Sequence, residues 1–139
     1  MAKSCIFCEI CKGKIKSHKV YEDKYVFAFL DIHPINPGHI LVIPKNHISD
    51  FYKMKDALYS KVMLVVKKLA KKINVKMNPK KVGLIVAGWD VNHTHIHIVP
   101  MKNYHDITSK SLIEGKRANP SNAVLERVAK KLNNKFEYS

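Results

Sequence analysis

The chain has 139 residues, enough for one domain with a real hydrophobic core. Its 46% apolar content excludes a disordered tail, and no apolar run approaches the roughly 20 residues of a membrane span. The 25 basic and 11 acidic residues give a formal net charge of +14, which admits nucleotides, nucleic acid or a membrane surface as partners without naming one.

The opening Met1-Ala2-Lys3-Ser4-Cys5 carries no apolar stretch of the signal-peptide kind, which predicts a cytoplasmic protein. Reducing conditions there disfavour disulfides, so clustered cysteines point to metal or chemistry. Residues 4–12 read as a short helix. Residues 25–30 are a strand candidate, followed by a turn carrying Pro34, Pro37 and Gly38. Residues 39–44 are apolar and rich in β-branched side chains, which predicts a second strand. Leu58, Val62, Val65, Leu69 and Ile73 then recur at the three-to-four spacing of a helix, which Pro79 stops. Lys67, Lys68, Lys71 and Lys72 fall opposite that stripe, and we read them as a solvated face in preference to a nucleic-acid patch. Residues 82–87 and 93–99 predict two more strands. Asn119-Pro120 reads as a cap followed by proline at the first helical position, with Val124, Val128 and Leu132 as the apolar stripe. Repeats and low-complexity tracts are absent from the sequence. Strands joined by short turns and by a long helical crossover predict an α+β fold: an antiparallel sheet of about five strands with packed helices, in one domain over residues 1–139.

The most informative stretch is His93-Thr94-His95-Ile96-His97-Ile98. On a strand, alternation sends the three histidines one way and Thr94, Ile96 and Ile98 the other. Ile96 and Ile98 can bury against a helix, which leaves a row of imidazoles with work to do. Two chemistries suit such a row. Three imidazoles can hold zinc with an open position. Alternatively, a neutral imidazole can attack phosphorus while its neighbours donate hydrogen bonds to the phosphoryl oxygens. A His-x-His-x-Asp-His metallohydrolase is disfavoured, because after Asp90 no acidic residue follows until Asp106.

These residues resemble the His-x-His-x-His motif of the histidine-triad (HIT) superfamily. Upstream, Ala28-Phe29-Leu30-Asp31-Ile32-His33-Pro34-Ile35-Asn36-Pro37-Gly38-His39-Ile40-Leu41-Val42-Ile43-Pro44-Lys45-Asn46-His47 is similar to the same family's other signature, as is the opening Cys5-Ile6-Phe7-Cys8-Glu9-Ile10. The resemblance spans roughly residues 5–101 as a triad core and leaves 102–139 as a divergent tail. It implies His95 as a nucleophile that forms a nucleotidyl-histidine, His97 as donor to a phosphate oxygen, and His39 as the histidine completing the hydrogen-bond chain. It implies Asp31 as the ribose acid, with Ile6, Phe7, Ile10, Phe29 and Ile32 around the base. In the zinc-bearing branch, Cys5, Cys8, His47 and His93 would form a structural Cys₂His₂ site, with His93 still orienting His95. Cys11 extends the cysteine series, but an iron–sulfur cluster needs a fourth thiolate and the chain has three. Many relatives carry a glycine- and serine-rich loop before the triad. Here the run is Gly88-Trp89-Asp90-Val91-Asn92.

The expected function is a nucleotide hydrolase or transferase acting on purine nucleoside phosphoramidates or dinucleoside polyphosphates, and a homodimer. The alternatives are an enzyme that deadenylates DNA or RNA ends, favoured by the charge, and a nucleotide-binding regulatory protein with weak catalysis.

Overall fold

The computed structural model describes residues 5–108 and 118–133. Ser4, expected in the first helix, and residues 109–117 and 134–139 of the expected tail lie outside the described residues. The elements run α1 (Ile6–Cys11), β1 (Lys19–Glu22), β2 (Val26–Leu30), β3 (Ile40–Pro44), α2 (Asp56–Met77), β4 (Lys81–Ile85), β5 (Ile96–Met101) and α3 (Asn122–Asn133), with 3-10 turns at Phe51–Lys53 and Tyr104–Ile107. All strand pairs are antiparallel, in the order β1-β2-β3-β5-β4. The expected α+β sheet of five strands is what forms.

Period-two alternation sorts the sheet into two faces. Val26, Ala28 and Leu30 of β2, Ile40 and Val42 of β3, and Ile96 and Ile98 of β5 bury against one layer. That layer is built by Val62, Val65, Val66, Leu69 and Ile73 of α2 and Leu125, Ala129 and Leu132 of α3. The intervening residues Phe27, Phe29, Leu41 and Ile43 point the other way, onto Phe7 and Ile10 of α1. Leu41 is in register with His97, so the histidines share the α1 face. The lysines of α2 stand outward as read: Lys67, Lys68 and Lys71 are exposed and Lys72 is half-buried, while the Lys68 Nζ lies 5.2 Å from the Tyr21 ring. Among the described residues, no helix is long and apolar enough to cross a membrane.

Several boundaries differ from the sequence expectation. β1 was not anticipated, because Lys19-Val20-Tyr21-Glu22 buries only Val20 and offers no apolar run. It forms as an edge strand, held by pairing to β2 and by an Asp23 turn whose carboxylate accepts from the amides of Tyr25 and Val26 at 2.7 and 2.8 Å. β5 begins at Ile96, not at residue 93, because Thr94 is taken up elsewhere: its N–H and hydroxyl both donate to the Ile48 carbonyl, at 2.7 and 2.9 Å. Strand alternation therefore does not place His93. β4 ends at Ile85, two residues before the expected end. α2 stops at Asn78, which takes the left-handed conformation (φ 49°) just ahead of Pro79. α3 starts later than Asn119-Pro120 suggests. Ser121 sits before it, its hydroxyl accepting from the Val124 amide at 3.3 Å, and the helix buries Leu125 and Ala129 more deeply than Val124 and Val128.

Candidate active site and metal centre

The β2–β3 connection sets one side of the site. Leu30 pairs with Ile40, and the Asp31 amide donates to the His39 carbonyl at 3.0 Å, so the two ends of the loop over 31–39 come together beside the triad. Pro37-Gly38 makes the last bend. Gly38 has φ +94°, a conformation that strains any residue with a side chain, and a Cβ there would also stand 3.0 Å from the Met77 side chain.

Backbone groups assign the protons on the imidazoles. The Ile35 N–H donates to His39 Nδ1 at 3.1 Å, so a neutral His39 carries its proton on Nε2. That Nε2–H then donates to His97 Nδ1 at 2.9 Å, which leaves the His97 proton on Nε2. His95 is set the opposite way. Its Nδ1–H donates to the His93 carbonyl at 2.7 Å, so its Nε2 bears the lone pair. The rings of His95 and His97 lie 5.1 Å apart. Side by side, then, sit a nucleophilic or basic nitrogen and an N–H donor suited to an anionic oxygen.

Both histidines line an open cavity together with Phe7, Ile10, Phe29, Asp31 and the exposed Ile6 and Ile32. The cavity thus gathers every residue expected at the base and ribose. Asp31 takes the His33 amide on Oδ1 at 2.9 Å and holds Oδ2 3.6 Å from His39 Nε2. Asp90, in the run over 88–92 that precedes the triad, also lines the cavity. His39, expected within the chain of histidines, is fully buried.

His93 turns away from that cavity. Its Nε2–H donates to the Pro44 carbonyl at 2.8 Å, which leaves the Nδ1 lone pair facing sulfur: Cys5 Sγ at 3.4 Å and Cys8 Sγ at 3.6 Å. His47 Nδ1 is 3.4 Å from Cys8 Sγ, and the four ligand atoms all lie within 4.8 Å of one another. Tetrahedral zinc with bonds of about 2.3 Å to sulfur and 2.0–2.1 Å to nitrogen separates S and N by about 3.6 Å, so the donor set fits such an ion. Burial pushes His93 below the usual imidazole value, which keeps it neutral as a ligand must be. Burial and the adjoining Cys5 thiol push Cys8 upward. Cys11 stands apart, its thiol pushed up to about 11, chiefly by burial.

The described residues also hold a brace that sequence reasoning missed. Asp106 Oδ2 accepts from the amides of Lys102 and Asn103 at 2.7 and 3.0 Å and from Asn36 Nδ2 at 2.9 Å. Asn36 Nδ2 also donates to the Pro100 carbonyl at 2.8 Å, and its own carbonyl accepts from the His39 amide at 3.2 Å. The turn after β5 thereby holds the loop that presents Asp31 and His39. An Asn and an Asp seventy residues apart give no local signal of this.

A HIT-domain family model matches residues 12–104. The chain belongs to the HIT family. It is 44% identical over 106 residues to "Protein hit" of Bacillus subtilis, covering 71% of this chain and 72% of that one. It is 40% identical over 105 residues to the adenosine 5'-monophosphoramidase of Schizosaccharomyces pombe, covering 72% and 76%. Among solved HIT structures, a zinc-bound histidine-triad protein from Mycobacterium smegmatis superposes with a TM-score of 0.77 at 26% identity, covering 94% of this chain and 91% of that one. The Cys₂His₂ cluster of this HIT protein is thus a candidate metal site in a family with a zinc-bound member.

Proposed function

We propose that this HIT protein is a nucleotide hydrolase or nucleotidyl transferase that works through a covalent intermediate on His95, with purine nucleoside phosphoramidates or dinucleoside polyphosphates as substrates. The observation that carries the reading is the His95 tautomer. The 2.7 Å hydrogen bond to the His93 carbonyl leaves the Nε2 lone pair for a cavity that also presents Asp31 and the His97 N–H. The His95 lone pair attacks the α-phosphorus, and the bond to the leaving amine or phosphate breaks with its electron pair going to that group. His97 Nε2–H holds a phosphoryl oxygen. Asp31 accepts from the ribose hydroxyls, and Phe7, Ile10, Phe29, Ile6 and Ile32 enclose the base. Water then attacks phosphorus, releases the nucleoside monophosphate and restores His95.

Zinc bound by Cys5, Cys8, His47 and His93 would serve as a structural ion, tying α1 to the segment that leads into β5. The relative named as a phosphoramidase and the zinc-bound HIT structure support these assignments. We assign the chain to the cytoplasm as a single-domain homodimer. The exposed apolar Leu84 and Val86 on and just after edge strand β4 support a subunit contact there. The test is turnover of a fluorogenic adenosine phosphoramidate. The wild type should release the fluorophore, and His95→Ala should lose several orders of magnitude in rate. Tight nucleotide binding with no turnover would make the protein a binder instead.

A further inference from the structure

Release of a nucleotidyl group from His95 needs a base that none of the residues assigned so far supplies. Water attacks phosphorus well only while a neighbouring group removes its proton. In-line displacement expels the leaving group on the side of phosphorus opposite Nε2, and the water that follows arrives at the same place. His95 is 4% exposed and His97 9%, so the nucleophile lies on the floor of the cavity and the water arrives from its mouth. A base for that water belongs on the rim.

Two carboxylates line the cavity, Asp31 and Asp90. Asp31 is buried and engaged with its own loop: Oδ1 takes the His33 amide at 2.9 Å, and Oδ2 lies 3.6 Å from His39 Nε2. Asp90 is exposed, and among the described residues its carboxylate accepts no hydrogen bond and joins no ion pair. The chain fixes its place from both sides. Gly88, in the left-handed region at φ +71°, turns the chain and borders the same small depression as His95. Val91 packs on the cluster of Phe7 and Ile10, and the Phe7 ring meets the His95 ring edge-on at 5.1 Å. Between them Trp89 is 93% exposed, so the strip gives its indole to solvent and its carboxylate to the cavity.

We infer that Asp90 is the general base of the hydrolytic step. This rests on the nucleotidyl-histidine reading above and deepens it. As the water oxygen bonds to phosphorus, the Asp90 carboxylate takes one water proton. The P–Nε2 bond breaks, its electron pair returns to His95, and Asp90 then passes the proton to solvent. Formation of the adduct does not call on Asp90, because the His95 lone pair is already free with its Nδ1 proton held by the His93 carbonyl.

The experiment follows formation and decay of the His95 adduct by rapid quench and mass spectrometry, with an adenosine phosphoramidate in single turnover. General-base catalysis contributes roughly 100- to 10,000-fold, so Asp90→Asn should slow decay by about 100-fold or more while formation stays within about threefold. Asp90→Glu returns a carboxylate and should bring decay back to within about tenfold of the wild type. Azide, an anion with no proton to lose, should speed decay in Asp90→Asn and yield adenosine 5'-phosphorazidate, while the wild type yields the monophosphate. Decay of Asp90→Asn at the wild-type rate would overturn the role. So would equal slowing of formation and decay, which would make Asp90 a residue that shapes the cavity. Slow decay that neither Asp90→Glu nor azide restores would overturn it as well. Absence of any adduct on the wild type would reject the nucleotidyl-histidine itself, a result distinct from these three.

Discussion

Truncating Asp106 to alanine would remove one carboxylate oxygen that serves three donors: the Lys102 amide, the Asn103 amide and Asn36 Nδ2. Hydrogen bonds to a charged group contribute about 1.5–3 kcal/mol each. Lys102 and Asn103 are exposed, so water can replace part of what their amides lose, whereas Asn36 is half-buried and keeps only its bond to the Pro100 carbonyl. A net loss of about 2–4 kcal/mol follows, against a total stability of roughly 5–15 kcal/mol. For a chain of this length that lowers Tm by about 7–14 °C.

The effect has a defined pH dependence. Burial by itself raises the Asp106 carboxyl, but hydrogen bonds from Asn103, Lys102 and Asn36 outweigh it and hold the group below its ordinary value of 3.8. A depressed folded-state value contributes stability that is fully present above the unfolded value and is lost as pH falls through the folded one. The Tm difference between wild type and Asp106→Ala should accordingly be constant from neutrality down to about pH 5 and shrink below pH 4. Thermal unfolding followed by circular dichroism across pH 3–8 measures it. A drop under 2 °C at pH 7, or a difference that widens on acidification, would refute the bracing role.

Two further outcomes follow from the same geometry. One zinc per chain should be found by elemental analysis of protein purified without chelator, and Cys8→Ser or chelation should lower Tm by several degrees, because structural zinc contributes binding energy directly to folding; protein without zinc whose Tm does not rise on adding it would return Cys5 and Cys8 to ordinary thiols. Asp31→Ala should weaken ribonucleotides about tenfold or more and their 2',3'-dideoxy counterparts little, since only the former lose partners; equal weakening in competition binding would limit Asp31 to holding its turn.

The elements with strong periodicity were legible in the sequence. α2 declares itself by five apolar residues at helical spacing, and β2 and β3 by apolar runs between turn residues. β1 was hidden because an edge strand with one buried side chain depends on its partner, not on its own pattern. The start of β5 was misplaced for a related reason: the Ile48 carbonyl captures Thr94, and no rule of alternation anticipates a contact from 46 residues away. The residue types of the candidate site could be read from motif and spacing, including both cysteines and the histidines. What pairs them could not. The proton positions on His39, His95 and His97 depend on single backbone groups of Ile35 and His93, and the Asn36–Asp106 brace on two side chains brought together by the sheet.

Intact-protein and peptide mass spectrometry of a reaction quenched within a turnover bears most directly on His95. With an adenosine phosphoramidate or a dinucleoside polyphosphate, the account predicts an added adenylate mass on the wild type, localised to His95 and lost on further incubation as water releases it. The adduct should be absent in His95→Ala, and it should persist longer when the substrate is present in excess. An adduct on any other residue, or turnover by His95→Ala at a rate near that of the wild type, would contradict it.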